Sequence, residues 1–201
     1  MTINEAVSLL KQGEIVALPT ETVYGLAADI TNLNSVDKLY QLKGRSKAKP
    51  IAIAISQPTD IYPWVKTLED DAKKLIHHFW PGPLTLVLEG SDEVPAILFS
   101  ERGGVGLRCS SCALIQQVIA TFGHPLALSS ANLSGHKDAL TAAQVSEYFP
   151  QIWVLEADAE VQGLPSTVVE LIAKPYRLLR KGAIPLIEIQ AVLGSEIVLE
   201  E

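Results

Sequence analysis

Three short polar segments of this sequence carry side chains that could bind or transform a small molecule. They are TETVYG (20–25), SSANLSG (129–135) and RKG (180–182), each directly after a predicted strand. Taken singly, each segment is typical of a turn, because serine, asparagine and glycine are the residues that turns use. In open α/β sheets, however, ligands bind in the crevice beyond the strand ends. The joint occurrence of the three segments therefore predicts a binding site.

A basic stretch, KGRSKAK (43–49), joins a predicted helix to a predicted central strand, and further basic residues lie between 174 and 181. Charge runs are usually solvated surface, but an arginine fork with mobile lysines can also clamp phosphate groups. The net charge of −7 argues against general nucleic-acid binding, which depends on neutralising phosphates. Two basic clusters in an acidic chain therefore indicate a local anionic ligand. Neither phosphate-binding glycine motif, GxxxxGK[ST] or GxGxxG, is present, so a nucleotide would bind differently.

Other kinds of site have weaker support. Cys109 and Cys112 are spaced C-x-x-C, but a structural zinc site needs four ligands and no second pair exists, so we interpret them as ordinary thiols. The four histidines lack metal-ligand spacing. Glu21 and Asp29 could bind Mg²⁺ or could equally cap a turn or be solvated. No Ser/His/Asp set can be argued from residue order alone, so nucleophilic hydrolysis has no support.

The elements that must position these residues are predicted by composition and periodicity. A length of 201 residues with 48% hydrophobic residues suits one α/β domain over 1–201. A capping box, Thr2 with Glu5, predicts a first helix over about 2–12. The run IAIAI (51–55) predicts a strand buried on both faces and therefore central in a sheet. Strands predicted at 167–172 and 176–180 resemble a hairpin, so the sheet should be mixed.

Two further expectations concern location and the chain's end. No apolar run approaches the span of a bilayer, and the N-terminus lacks a signal-peptide pattern, which predicts a cytoplasmic protein with no membrane association. The composition of 191–201 leaves open whether this segment closes over a site or frays as a tail.

Seven motifs occur along the chain in a characteristic order. They are PTETVYGL (19–26), K-x-R-x-x-x-K-P (43–50), WPGPLTLVL (80–88), GLR (106–108), SSANLSG (129–135), PSTVVEL (165–171) and LLRKG (178–182). Together they closely resemble the YrdC/TsaC family, the threonylcarbamoyl-AMP synthases, over about residues 3–190. The resemblance implies a twisted, mixed parallel and antiparallel sheet flanked by helices, with a basic cavity on one face. It also implies the short, single-domain form.

The activity that this resemblance implies is synthesis of L-threonylcarbamoyladenylate. The substrates are L-threonine, bicarbonate or CO₂, and ATP with Mg²⁺; pyrophosphate is released, and the product serves the t⁶A modification at position 37 of tRNA. The implied partners are these substrates and the other t⁶A-pathway proteins that receive the product, with weak RNA binding as a further expectation. The alternatives are an RNA-binding module and a regulatory module that senses threonine or ATP.

Individual residues are assigned by the same resemblance. Contacts to threonine are implied for Thr22, Tyr24, Arg108, Ser130 and Ser166. Contacts to ATP are implied for Lys43, Arg45, Lys49, Asn132, Thr141 and Arg180; no residue is assigned as a general base. The chain departs from the family pattern at Ala54, where long forms often carry a histidine that helps hold threonine. It departs again at Ser110, where a proline is common. A related subgroup of unknown role lacks the S-A-N and K-x-R signatures, and this chain has both.

Overall fold

A mixed sheet of ten strands organises the part of the chain that the computed structural model describes, residues 1–156, 161 and 163–199. The strands are Val16–Leu18 (β1), Gly25–Asp29 (β2), Ala52–Ile55 (β3), Leu84–Glu89 (β4), Gly104–Cys109 (β5), Leu126–Ser130 (β6), Trp153–Val154 (β7), Thr167–Glu170 (β8), Tyr176–Arg180 (β9) and Ile197–Leu199 (β10). Their order across the sheet is β10-β9-β8-β4-β5-β3-β6-β2-β1-β7. The predicted hairpin of β8 with β9 is antiparallel, whereas β3 pairs with β5 in parallel, which confirms a mixed sheet.

Six α-helices flank this sheet within the described residues. They are Ile3–Lys11 (α1), Leu33–Lys43 (α2), Asp70–Phe79 (α3), Ala113–Phe122 (α4), Ala142–Tyr148 (α5) and Leu186–Leu193 (α6), with 3₁₀ helices at Pro58–Trp64 and Ala96–Leu98. The capping box of α1 is confirmed, because Thr2 Oγ1 accepts the Glu5 N–H at 3.3 Å and the Glu5 carboxylate accepts the Thr2 N–H at 2.7 Å. No described helix is long and apolar enough to cross a membrane.

Two hydrophobic clusters lie on the two faces of the sheet. The larger one joins the sheet to α2, α3 and α6, and the smaller one lies beneath α1 and α4. The strand β3 shows how the faces divide: Ile53 and Ile55 belong to the larger cluster, and Ala54 to the smaller. Since β3 is also sixth of the ten strands, the predicted central position is confirmed, and its second face is buried at Ala54 but only half-buried at Ala52.

Two strands were not predicted from the sequence. The segment GLAAD of β2 is wholly buried, and its small residues give neither alternation nor a β-branched run to mark a strand. The strand β10 pairs in parallel with β9 at one edge of the sheet, so most of the segment whose role was left open is part of the fold. Glu200 and Glu201, at its end, lie outside the described residues.

Tyr40 fastens α2 to the start of β3, next to the basic stretch 43–49. Its side chain is 1% exposed. The phenol donates to the Ile97 carbonyl at 3.2 Å and accepts the Ile51 N–H at 3.1 Å. The hydroxyl therefore gives the buried Ile51 N–H its acceptor and also bonds the partly buried Ile97 carbonyl.

We predict that Tyr40→Phe lowers the free energy of unfolding by about 1–3 kcal/mol, because the Ile51 N–H loses its acceptor inside the protein. The matched control is Tyr62→Phe, at a tyrosine that is 62% exposed. Urea denaturation of the two variants beside the wild type measures the difference. Equal losses in both variants would contradict a specific role for the Tyr40 hydroxyl.

Candidate functional site

A cavity of about 710 Å³ opens over one face of the sheet. Alternate residues of neighbouring strands form its floor, as the two-residue period of a strand requires. They include Ala52 and Ala54 of β3, Thr85 and Val87 of β4, Gly106 and Arg108 of β5, and Leu128 and Ser130 of β6. Small side chains at several of these positions leave room above the sheet. The cavity thus lies over the sheet face, and not in a crevice beyond the strand ends as the general rule for open sheets predicted.

Every arginine of the chain lines this cavity. The sequence has five, Arg45, Arg102, Arg108, Arg177 and Arg180, and all of them contribute to its wall or floor. Lys49 adds a sixth cation, whereas the lining carboxylates are Glu101 and Glu170. The whole chain carries a net charge of −7, so this concentration of positive charge is local. It makes the cavity suited to a ligand with several negative charges.

Arg180 lies on the floor in a row with Arg108. The strand register pairs Arg108 with Thr85, Thr85 with Val168, and Val168 with Arg180. Arg180 donates from Nε to the Ser166 carbonyl at 2.9 Å and from Nη2 to Ser166 Oγ at 2.8 Å. Burial lowers the pKa of the Arg180 guanidinium, and the positive charge of Arg108 lowers that pKa further. An anion in the cavity would relieve both effects.

Arg108 is held by the loop between β1 and β2. Its Nη2 donates to Glu21 Oε1 at 3.0 Å and to Thr22 Oγ1 at 2.7 Å. The other oxygen of Glu21 accepts a hydrogen bond from the Ser110 hydroxyl. The Arg108 Nε is buried and has no acceptor within the described part of the chain. A buried donor without an acceptor points to a partner that the protein itself does not supply.

Arg45 and Lys49 lie at the edge of the cavity, in the loop between α2 and β3. Arg45 donates from Nε to the Lys49 carbonyl at 2.7 Å and from Nη2 to the Pro50 carbonyl at 3.2 Å. Burial lowers the pKa of the Arg45 guanidinium. Lys47, in the same loop, instead pairs with Asp37 on α2 at 2.5 Å. The basic stretch therefore divides into cavity-facing and surface-facing cations.

Most residues predicted from the sequence meet in this cavity. Those that line it are Tyr24, Arg45, Lys49, Arg108, Ser130, Ser166 and Arg180. Thr22 is fully buried behind Arg108 rather than in the lining. Thr141 caps α5, where its hydroxyl accepts the Gln144 N–H at 3.2 Å, and it is absent from the described lining. The assignment of each residue to threonine or to ATP stays a prediction.

Lys43 and Asn132 lie beneath the cavity wall. Lys43 is 2% exposed, and its ammonium donates to the Ser130 carbonyl, to the Asn132 carbonyl at 2.8 Å and to Asn132 Oδ1 at 3.0 Å. The Asn132 amide also accepts from Ser130 Oγ at 2.7 Å and donates to the His136 carbonyl at 2.6 Å. Both side chains therefore shape the SSANLSG loop from behind, as far as the described contacts go.

Sequence reasoning missed one ion-paired group at the cavity. Glu170, whose side chain is 4% exposed, pairs with Arg102 at 3.2 Å and with Arg177 at 3.4 Å. The signal that could have found Glu170 is indirect: the chain has only five arginines, and two of them, Arg102 and Arg177, pair with this glutamate. Asp29, weighed as a magnesium ligand, instead accepts the N–H and hydroxyl of Thr31 in a turn. No cluster of three or more His, Cys, Asp or Glu residues suited to a metal occurs in the described residues.

The two cysteines are free thiols, as the sequence argument predicted. Cys109 is buried at the end of β5, and burial raises the pKa of its thiol to about 12. Because the thiolate is the nucleophilic form, this shift disfavours nucleophilic chemistry at Cys109.

Comparison with known proteins places this arrangement in a family. The profile named Sua5_yciO_yrdC, described as telomere recombination, matches residues 8–182. The chain belongs to this Sua5/YciO/YrdC family. The match covers every strand from β1 to β9 and all the cavity-lining arginines.

Curated relatives of the chain are synthases. Threonylcarbamoyl-AMP synthase of Pyrococcus abyssi is 36% identical over 195 residues, which is 96% of this chain but 57% of that protein. The human threonylcarbamoyl-AMP synthase is 33% identical over 188 residues, 90% of this chain and 67% of that protein. A putative threonylcarbamoyl-AMP synthase of Mycobacterium tuberculosis H37Rv is 34% identical over 196 residues, 96% of this chain and 90% of the other. The chain thus spans little more than half of the Pyrococcus relative.

Solved structures support the same fold. P. abyssi Sua5 complexed with L-threonine superposes with a TM-score of 0.92 at 35% identity, over 98% of this chain and 58% of that one. E. coli YciO superposes with a TM-score of 0.83 over 92% of this chain and 90% of that one, but at 20% identity it shows the fold alone. The expected YrdC-like fold is therefore confirmed.

The buried ammonium of Lys43 predicts a pH dependence of stability. Burial, with the nearby Arg45 charge as a smaller cause, lowers the pKa of Lys43 from its ordinary 10.5 to about 8. Between these pH values the unfolded chain binds more protons than the folded one, so stability from this group rises with pH. The difference in unfolding free energy between wild type and Lys43→Met should therefore rise from pH 8 to pH 10, by up to about 3 kcal/mol.

Urea denaturation across this pH range measures the difference, and ionisations common to both proteins cancel. Lys11→Met is the matched control, since Lys11 is exposed at the end of α1. A difference for Lys43→Met that stays flat or falls with pH would show that the ammonium is not desolvated in the folded state.

Proposed function

We propose that the chain forms L-threonylcarbamoyladenylate and pyrophosphate from L-threonine, bicarbonate or CO₂, and ATP. The observation that carries this proposal is the convergence of all five arginines on one cavity in an acidic protein. ATP with a carboxylated amino acid is a ligand pair of high negative charge, which such a cavity suits. Membership of the family and the names of the relatives support the same activity.

The two substrates would divide the cavity between its cationic groups. Arg45, Lys49 and Arg180 are the cations assigned to ATP, and Arg108 is assigned to the carboxylate of threonine. Support for this division comes from Arg108, which lines the cavity together with Ser130 and Ser166 and whose Nε has no acceptor among the described residues. A small ligand with an ammonium, a carboxylate and a hydroxyl needs several short partners fixed by the backbone.

The chemistry needs positioning and charge stabilisation. The neutral threonine amine adds to CO₂ and releases one proton to solvent, or displaces water from bicarbonate, to give a carbamate. A carbamate oxygen then attacks the α-phosphorus of ATP, the bond from that phosphorus to the bridging oxygen breaks, and pyrophosphate leaves. Negative charge grows on the departing phosphates, where fixed guanidinium groups stabilise it. Holding both reactants in one cavity lowers the barrier further, by up to about 7–11 kcal/mol in well-oriented systems.

Magnesium would enter with ATP. Mg²⁺ at nucleotide sites is usually held by one or two carboxylates together with substrate phosphates. Of the lining carboxylates, Glu170 is already paired with two arginines. The cavity therefore offers few free carboxylates, which fits a Mg²⁺ ion that would be bound chiefly by the phosphates of ATP. When bound, the ion would offset phosphate charge.

The biological setting follows from the same proposal. The product would serve the t⁶A modification of tRNA and would pass to the other proteins of that pathway. A module that only binds RNA, or one that only senses threonine or ATP, would use the cavity without forming product. Product formation therefore separates these three functions.

The decisive test is pyrophosphate release by the purified protein with ATP, Mg²⁺ and bicarbonate, comparing L-threonine, L-serine and no amino acid. We expect threonine-dependent release together with a threonylcarbamoyl adenylate detected by mass spectrometry. ATP binding without release would favour the sensing module, and RNA binding that needs no threonine and weakens steeply with salt would favour the RNA-binding module.

We predict that Arg45→Ala lowers kcat/KM for ATP by about 10²–10³-fold, because one fixed cation on the phosphates is lost. Lys174→Ala is the matched control, since Lys174 pairs with Asp71 on the surface at 3.2 Å and is absent from the cavity lining that the structure describes. Steady-state kinetics at saturating threonine measures both variants. Unchanged turnover in Arg45→Ala would exclude the phosphate clamp.

A further inference from the structure

The hydrogen bonds of Arg108 leave a defined part of its guanidinium for a ligand. Arginine has five N–H donors, one on Nε and two on each terminal nitrogen. Both hydrogens of Nη2 have acceptors in the protein, Glu21 Oε1 at 3.0 Å and Thr22 Oγ1 at 2.7 Å. The Nε hydrogen has none among the described residues. The protein thus binds Nη2 of Arg108 and leaves the other nitrogens of the guanidinium for a ligand in the cavity.

The grip on Arg108 is itself rigid, because its hydroxyl chain runs in one direction. Thr20 Oγ1 lies 2.6 Å from the Val23 carbonyl, which accepts its only hydrogen. The Thr22 hydroxyl, 2.9 Å from Thr20 Oγ1, must therefore donate to it and keeps a lone pair for Arg108. Thr20 Oγ1 also accepts the N–H groups of Thr22 and Val23 at 3.2 Å. Thr22 thus has a fixed orientation.

Glu21 is fixed from both sides. One carboxylate oxygen accepts from Arg108, and the other accepts from the Ser110 hydroxyl, on the residue that follows β5. Ser110 is 3% exposed, and the Glu21 side chain is 12% exposed. The carboxylate therefore links the β1–β2 loop to the strand that carries Arg108.

This link opposes the repulsion between the arginines of the cavity. Arg108 shares a row of the sheet with Arg180, and its charge lowers the pKa of Arg180. An arginine side chain free to rotate would turn away from such a neighbour, and ordering it again would cost rotamer entropy on binding. The Glu21 carboxylate, fixed beside Nη2, keeps Arg108 from turning away from Arg180. It also orders the arginine side chain before the ligand binds, so that binding does not cost this rotamer entropy.

We propose that Glu21 and Ser110 are positioning residues that hold Arg108 so that its remaining donors receive the carboxylate of the amino-acid substrate. This inference rests on the proposed function. Ser110 is part of the device because its hydroxyl donates to the carboxylate oxygen of Glu21 that does not bind Arg108. Neither residue is among the described residues that line the cavity, so both act through Arg108.

The first test is binding and kinetics of L-threonine. Glu21→Gln removes the charge of the carboxylate at constant shape, and we expect the KM for threonine to rise about tenfold, with KM for ATP within about twofold. Ser110→Ala should raise the KM for threonine about two- to fivefold, and Ser110→Thr, which keeps the hydroxyl, should restore it. Glu14→Gln is the matched control, at an exposed glutamate whose partner is Lys38 on the surface.

Changes in kcat alone, or equal changes in both KM values, would indicate a general structural role and would overturn the proposal. So would a Ser110→Ala variant with unaltered threonine KM. The Ser110 variants keep the test decisive even if a Glu21 variant fails to fold.

A second measurement does not depend on any substrate. In nitrogen-15 NMR spectra of the wild type, the Arg108 guanidinium, identified by its loss in Arg108→Lys, should show separate, slowly exchanging Nη signals. Glu21→Gln should average these signals, and unchanged signals would overturn the positioning role. Ordered wild-type signals together with absent threonine binding would instead refute the proposed function and the assignment of the substrate carboxylate, while leaving the grip on Arg108 established.

Discussion

Mutual repulsion among five arginines on one side of a sheet is the constraint on which this site depends. Each guanidinium is held by an acceptor of the protein: carbonyls of its own loop for Arg45, Glu21 for Arg108, Ser166 for Arg180, and a shared Glu170 for Arg102 and Arg177. Without these acceptors the side chains would turn into solvent. These polar contacts therefore hold the cationic side chains in positions where they can bind an anion.

The sheet provides the second condition, which is room above its floor. Helices α1 and α4 cover one part of this face, and small residues such as Ala52 and Gly106 form the floor beside them. The opposite face carries the larger hydrophobic cluster with α2, α3 and α6, so the strands can be rigid while one side stays open. The hydrophobic cluster on one face of the sheet thus holds the strands in place for ligand binding in the cavity on the other face.

Buried polar contacts connect the two conditions. Lys43 ends α2 and holds the SSANLSG loop through three oxygen acceptors, so a helix on the core side fixes the shape of the cavity wall. Tyr40, one turn earlier, fixes the first residues of β3. Lys43 and Asn132, which the motifs assign to ATP, therefore support the cavity wall from behind. The side chain of a lysine or an asparagine can donate to a backbone carbonyl just as it can donate to a phosphate.

The sequence by itself determined the local elements and the family. The Thr2 capping box, the central IAIAI strand and the hairpin of β8 with β9 were readable because caps, periodicity and short connections depend on neighbouring residues. Seven of the eleven site residues that the ordered motifs implied also line the cavity. Only the tertiary structure decided that β2 is a strand, that Arg102 and Arg177 join the cavity, and that Thr22, Lys43 and Asn132 lie behind its wall. Those outcomes depend on strand register and on contacts between residues more than 80 positions apart, such as Lys43 with Ser130 or Arg108 with Glu21. No local pattern encodes such distances.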